Sequence, residues 1–344
     1  MITNNKIRIF NTQKIKLLVE EKKIVYSPSG CKYIPYYMTF FNKFTVMKWI
    51  SILFFGVLIT TSLAQPNMDE AKITTVKIND HIHMLQWSGA GNMLLLSGND
   101  GNVLIDDQFG PLSEKINAAI QTVNKGNVKF LFNTHYHGDH AGGNENFAKM
   151  GATILAHDNV RARLSADQRI INFTQPQKAA PEVAWPVITF ANGLNVHLND
   201  EDVIIFHVDN AHTDGDALYY LPKSNVLHTG DCFMKDRFPF IDRNSGGSVD
   251  GWINGVSRAI NMIDDETVII PGHGDLAKKA DYRAVRDAVM MLRDKVKSQI
   301  KSGKDLDQIK AMNISGDFDS TFGSGFIKSE AMVTTIYKDI KGEK

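Results

Sequence analysis

The chain has 344 residues, 43% of them hydrophobic, which is ample for one large core. Lysine plus arginine and aspartate plus glutamate each number 38, so there is no basic excess to hold nucleic acid. No acidic or basic tail marks a charged partner either.

Met47-Lys48-Trp49 makes a short basic start, Ile50 to Thr60 an apolar run, and Ser62-Leu63-Ala64 a small-residue site before Gln65. That order predicts a secretory signal peptide over 47–64. Its apolar run is short of the about 20 residues that a spanning helix needs. Signal peptides begin near the start of translation, so 1–46 is expected to be an upstream extension and Met47 the true start. A membrane-anchored form starting at Met1 is the alternative. The remaining chain, 65–344, is then one domain, periplasmic or secreted, with no membrane contact after cleavage. Of the two cysteines, Cys31 falls in the leader, so the domain keeps Cys232 and no internal disulfide.

Strands are predicted at His81–Trp87, Asn92–Ser97 and Val103–Asp106. Leu112, Ile116, Ala119, Ile120 and Val123 mark one face of a helix. A buried strand, Val128–Asn133, follows, then a strand at Ala152–Ala156 and a short helix at Asn159–Leu164. Gln175–Pro186, with its three prolines, reads as a loop crossing between two halves. Strands come next at Val187–Phe190, Leu194–Leu198, Val203–Val208, Ala217–Leu221 and Val226–His228. A helix is expected over Trp252–Ile263. Val285, Val289, Leu292, Val296 and Ile300 repeat at helical spacing. Composition alone predicts only mixed α and β structure.

The chemistry concentrates in His135-Tyr136-His137-Gly138-Asp139-His140, directly after the strand Val128–Asn133. Imidazoles and a carboxylate packed into one hexapeptide at a strand end are hard to justify as core and easy to justify as half of a zinc site. A closed site needs ligands from other elements. Three more apolar runs end in candidates, each in a turn: Val203–Val208 leads to His212, Asn225–His228 to Asp231, and Thr267–Ile270 to His273.

The order HxHxDH, then His, Asp and His, resembles the metallo-β-lactamase superfamily, from about Lys72 to the helix around Ile300. The resemblance implies an α/β fold, the αββα sandwich. It implies that His135, His137 and His212 hold one metal, that Asp139, His140 and His273 hold another, and that Asp231 bridges them. Two Zn²⁺ suit the mixture of imidazole and carboxylate, although iron or manganese uses the same ligands. The implied chemistry is hydrolysis, with a metal-bound hydroxide attacking a carbonyl. Asp139 is the expected catalytic carboxylate, orienting the nucleophile or passing its proton. Asp106, closing an apolar strand, is expected to hydrogen-bond a ligand histidine; a turn aspartate is the alternative. Gly142-Gly143-Asn144 turns the backbone tightly into a helix.

Cys232-Phe233-Met234-Lys235 resembles the Cys-x-x-Lys segment of one subclass, in which the cysteine is a ligand. That subclass lacks the closing histidine of HxHxDH and a bridging aspartate, and this chain has both His140 and Asp231. Neighbours in an extended segment point opposite ways, which favours Asp231 as ligand and Cys232 as a small buried residue. Lys235 is expected either to pair with a substrate carboxylate or to be solvated. His81 and His83 are expected at the surface or in an interface. His157, His197 and His207 have no partner ligands nearby. His228 is a candidate neighbour of the site, and Asp214 and Asp216 are candidates for shaping the His212 loop. Trp185, Phe238 and Phe240 line a cleft or pack the core.

The expected function is an exported zinc hydrolase of a small molecule: a β-lactam first, then a lactone, ester or thioester. The alternatives are a mononuclear iron persulfide dioxygenase and a phosphodiesterase. Fold and ligand set do not decide among them. Oligomeric state is not legible.

Overall fold

The computed structural model describes residues 68–171 and 173–343. The expectations for 1–46, for 47–64 and for Cys31 lie outside the described residues.

Two sheets carry the fold. In the first, β1 (Thr74–Lys77), β2 (Ile82–Gln86), β3 (Met93–Leu96) and β4 (Asn102–Ile105) form an antiparallel meander. β5 (Val128–Phe132), β6 (Thr153–His157) and β7 (Ile188–Phe190) then add in parallel, each beside the last. The second sheet holds β8 (Gly193–Leu198), β9 (Glu201–His207), β10 (Ala217–Leu221), β11 (Val226–His228) and β12 (Val268–Ile270), in the order β12-β11-β10-β9-β8. Its pairs are antiparallel except β11 with β12. The helices are α1 (Ser113–Val123), α2 (Gly138–Ala141), α3 (Asn144–Lys149), α4 (Asp158–Leu164), α5 (Val249–Met262), α6 (Lys279–Lys301), α7 (Leu306–Ala311) and α8 (Ser329–Lys341).

Side-chain alternation along the strands sets the layers. Leu94 and Leu96 of β3 and Val103 and Ile105 of β4 share a core with Val203 and Ile205 of β9 and Tyr219 and Leu221 of β10. The intervening Leu95 and Leu104 turn outward, to Ile116 and Ile120 of α1 and Phe147 of α3. On the other side, Phe206 and Leu218 pack with Trp252 and Val256 of α5 and Val285, Val289 and Leu292 of α6. The product is the expected helix–sheet–sheet–helix sandwich. β3 and β4 are buried on both faces, which is why they read as unbroken apolar runs.

Some expectations need correction. The loop before β7 does not cross between the halves. It joins β6 to β7 within the first sheet, and parallel neighbours require such a long connection. The chain changes sheets later, between β7 and β8. His83 is buried rather than at the surface, within β2. β1, α7 and α8 were not anticipated.

Candidate metal centre

Asp106 follows β4, the hexapeptide follows β5, and His212, Asp231 and His273 follow β9, β11 and β12. β4 and β5 are parallel, β9 and β11 share one direction, and β12 is parallel to β11, so each sheet delivers its candidates at one of its ends. The candidates converge in three groups, each with its ligand atoms within 4.8 Å of one another: His135, His137 and His212; His135, His140 and Asp231; Asp139, His140 and His273. Asp231 therefore lies between the two triads, where the resemblance places a bridge. Its Oδ1 is 3.1 Å from His140 Nε2 and 3.4 Å from His273 Nε2, and its Oδ2 is 3.8 Å from His212 Nε2.

Glycines make this approach possible. A Cβ at Gly272 would collide with Asp231 Oδ1, and one at Gly91 with the His140 ring. The turn carrying His273 is pinned to the other sheet by Asn92, whose Nδ2 donates to Pro271 O at 2.9 Å and Gly274 O at 2.7 Å.

Each ring of the first triad, and His140, is oriented through the nitrogen that faces away from the cluster. His140 Nδ1 lies 2.7 Å from Asp106 Oδ2. His135 Nδ1 lies 3.0 Å from Thr134 Oγ1, which donates to the same Asp106 oxygen at 2.8 Å. His212 Nδ1 lies 2.6 Å from the Phe240 carbonyl. His137 is reversed: its Nε2 lies 3.2 Å from Asp242 Oδ2, leaving Nδ1 to face His212 Nε2 at 2.9 Å. Asp106 sits at a φ of 64°, a left-handed conformation that aspartate tolerates better than most residues. His228 Nε2 also approaches Asp106 Oδ2, at 3.4 Å.

Electrostatics divides the cluster. Burial, reinforced by the neighbouring histidines, holds His135 well below the usual imidazole range, and burial beside His137 lowers His212. Burial also opposes charge on His140 and His273, but carboxylates overcome it. Asp231, Asp139 and Asp106 raise His140 well above its usual value, and Asp231 and Asp139 raise His273 to about 9. Despite their own burial, Asp231 and Asp139 are held low by the same two histidines.

The residues fit a divalent cation. His135 Nε2, His140 Nε2 and Asp231 Oδ1 are buried without a hydrogen-bond partner. An unsatisfied buried polar atom costs about 1–3 kcal/mol, so three converging on one point mark a missing common partner. Imidazole nitrogens and carboxylate oxygens are the donor set that zinc takes.

Cys232 stands apart from these groups. Asp231 and Cys232 sit in a 3-10 turn, Gly230–Cys232, rather than an extended segment. The thiol turns away to Asp216, donating to Oδ2 at 3.6 Å, and burial pushes it well above its usual range. Asp216 also accepts from Thr213 N at 2.8 Å, shaping the loop that carries His212. Lys235 is not in the cleft: its Nζ donates to Leu276 O at 2.9 Å. Phe238 packs in the core, Trp185 donates to Ala180 O, and Phe240 lines the cleft. Asp242, Thr134, the Phe240 carbonyl and Arg237 had no local signal in the sequence. Asp242 and the Phe240 carbonyl reach their histidines from distant loops, whereas Thr134 sits directly beside His135 in the chain.

An open cleft of about 460 Å³ lies over the cluster, with His137, Asp139, Asp231 and His273 in its floor and Phe109, Ile170, Met234 and Phe240 among its walls.

Comparison with known proteins bears on the family and the fold. The family model described as the metallo-beta-lactamase superfamily matches residues 87–274. The chain is 22% identical, over 73% of its length and 98% of the relative's, to a metallo-beta-lactamase type 2 from Elizabethkingia meningoseptica. Its fold resembles a metallo-beta-lactamase from Pontibacter korlensis at a TM-score of 0.52 and 19% identity, over 64% of this chain and 99% of that one. It also resembles the stereoselective inverting sec-alkylsulfatase Pisa1 from Pseudomonas sp., at a TM-score of 0.59 and 16% identity, over 78% of this chain. The chain spans only 50% of that sulfatase's length. With the motif, the sandwich and the family match in agreement, the chain belongs to the metallo-beta-lactamase superfamily.

Proposed function

We propose that this protein is an exported, zinc-dependent hydrolase that cleaves a carbonyl bond of a small molecule, with a β-lactam as the first substrate to test and lactones, esters and thioesters next. The observation that carries the reading is the convergence of two ligand triads on Asp231 beneath an open cleft. A cleft of about 460 Å³ suits a small-molecule substrate. The resemblance to the Elizabethkingia lactamase over nearly its whole length supports the choice of first substrate.

A pair of divalent ions bound here would acidify water and polarise the carbonyl. The chain's own residues do the rest. His135, His137 and His212 form one face of the site, and Asp139, His140 and His273 the other. Asp139 is in both the second triad and the cleft floor, with Oδ2 3.2 Å from His273 Nε2. That position suits it to take a proton from the attacking water and return it to the leaving group. Phe109 and Phe240 limit water around the reacting carbonyl. The leader sequence supports export. Among the described residues no helix is long and apolar enough to cross a membrane.

The test is hydrolysis by the full chain, with metal content assayed in the same sample. The panel is a chromogenic cephalosporin, an acyl-homoserine lactone and a glutathione thioester. Turnover abolished by a chelator, with about two zinc per chain, is the expected result. No turnover, with one iron per chain, would overturn it in favour of an iron oxygenase.

A further inference from the structure

One wall of the cleft is more apolar than hydrolysis of a small polar carbonyl compound requires. Phe173, Phe240 and Phe326 form a triangle of rings, with centroids 6.3 Å apart for Phe173–Phe240, 5.8 Å for Phe240–Phe326 and 6.2 Å for Phe173–Phe326. Phe240 continues this surface onto the metal centre, its centroid 6.0 Å from the His137 ring and 5.6 Å from the His212 ring. The apolar path thus runs from the rim to the ligands. At the rim, Phe173 is 53% exposed and Phe326 64% exposed. Two large rings held together in water, at the mouth of a cleft and from separate loops, mark a surface that a ligand covers.

The cation on this surface is Arg237. It is exposed, lines the same cleft, and makes no hydrogen bond or ion pair among the described residues. Its stem lies on the backbone at Gly325, where an added Cβ would come 2.9 Å from Arg237 Cδ. The stem of Arg237 therefore packs on the backbone of Gly325, the residue before Phe326 in the chain. Lys235, the lysine that the sequence suggested for an anion, is tied to the Leu276 carbonyl instead.

We infer that the substrate is an anionic amphiphile: a bulky apolar group lies on Phe173, Phe240 and Phe326, its carboxylate pairs with Arg237, and the hydrolysable carbonyl reaches the metal centre. This rests on the hydrolase reading above and names the substrate class of that site. Guanidinium takes a carboxylate in a two-pronged geometry that lysine does not reproduce. The apolar wall supplies binding in proportion to the chain area it covers.

The test uses 4-nitrophenyl esters with the metal-loaded full chain. Water adds to the acyl carbon, the acyl–oxygen bond breaks, and nitrophenol leaves with the second proton. The three substrates are the acetate, the decanoate and the mono-ester of decanedioic acid. The expected kcat/KM rises at least about tenfold from acetate to decanoate, and again to the terminal carboxylate. Phe173→Ala and Phe326→Ala should remove the first gain and spare acetate. Arg237→Ala should remove the second gain only, and Arg237→Lys should restore part of it. Equal kcat/KM for acetate and decanoate, or variants that slow all three esters alike, would overturn the inference. Absence of any ester hydrolysis would count against the hydrolase reading alone. The cleft is then read by fluorescence titration with dansylated undecanoate. Saturable binding that both Phe326→Ala and Arg237→Ala weaken severalfold supports the inference, and an unchanged Kd in either variant overturns it.

Discussion

Asp242 Oδ2 lies 3.2 Å from His137 Nε2, and this contact makes His137 the histidine of its triad that faces the cluster through Nδ1. Ser245 Oγ donates to the same oxygen at 2.5 Å, and His137 and Ser245 hold the buried carboxyl of Asp242 down at about 2. The ring is therefore oriented by a fixed anion. Asp242→Asn keeps the volume and removes that charge. Zinc affinity is expected to fall about 10- to 100-fold. Competition with a fluorescent chelator measures it, and unchanged affinity would contradict the orienting role.

Asp231 and Cys232 are neighbours with opposite expected roles. Asp231→Asn should lose metal and activity, because Oδ1 and Oδ2 face both triads. Cys232→Ala should keep both ions and cost about 1 kcal/mol of stability, an ordinary figure for a core truncation. Metal analysis of the two variants separates the readings: loss of one ion from Cys232→Ala would make the thiol a ligand.

Gly272→Ala places a methyl group against Asp231 Oδ1. Its φ is not in the left-handed range, but the methyl group would also come 2.6 Å from Gly230 C and 2.7 Å from Gly230 O, so the variant is expected to fold with reduced stability and to bind metal much more weakly as Asp231 and the Gly230 turn move aside. Circular dichroism with a zinc titration checks both halves of the statement. Full zinc affinity would show that the backbone yields instead.

The charge states predict unequal proton release. His135 and His212 are held low, so no proton competes with a metal there near neutral pH. His273 is raised to about 9, so below about pH 9 the metal-free protein carries a proton there, and the carboxylates around His140 bias it the same way. A metal entering the second triad must displace protons held there. Its apparent affinity should fall as pH falls, by up to about tenfold per unit for each proton displaced, while the first triad changes less. Calorimetric titration at pH 6 and 8, in buffers of different ionisation enthalpy, reads the protons directly. Equal proton release at both steps would refute the division.

The candidate ligands were legible because each follows a run of apolar residues, and side-chain alternation makes such runs easy to read as strands. His212, Asp231 and His273 needed only that rule. Asp242 was not legible: 105 residues separate it from His137, and it follows no strand. Arg237 was hidden for a different reason. Lys235, two residues earlier, offers the same charge, and only the backbone direction decides which side chain enters the cleft. The helix α7 has a local signal in the reciprocal capping of Asp305 and Gln308. The misassigned loop before β7 shows a limit of local pattern. Proline content marks a connection but does not say which strand the chain will join.

The change of sheet between β7 and β8 divides the ligands as well as the strands. His135, His137, Asp139 and His140 follow a strand of the first sheet, while His212, Asp231 and His273 follow strands of the second. Neither half holds a complete triad, so a metal bound here would fasten the sandwich along one edge like a clasp. Ions that bind only the closed arrangement stabilise it by mass action. Loading with metal would then report assembly of the two halves as well as readiness for chemistry, and metal scarcity would weaken the fold and silence the site together.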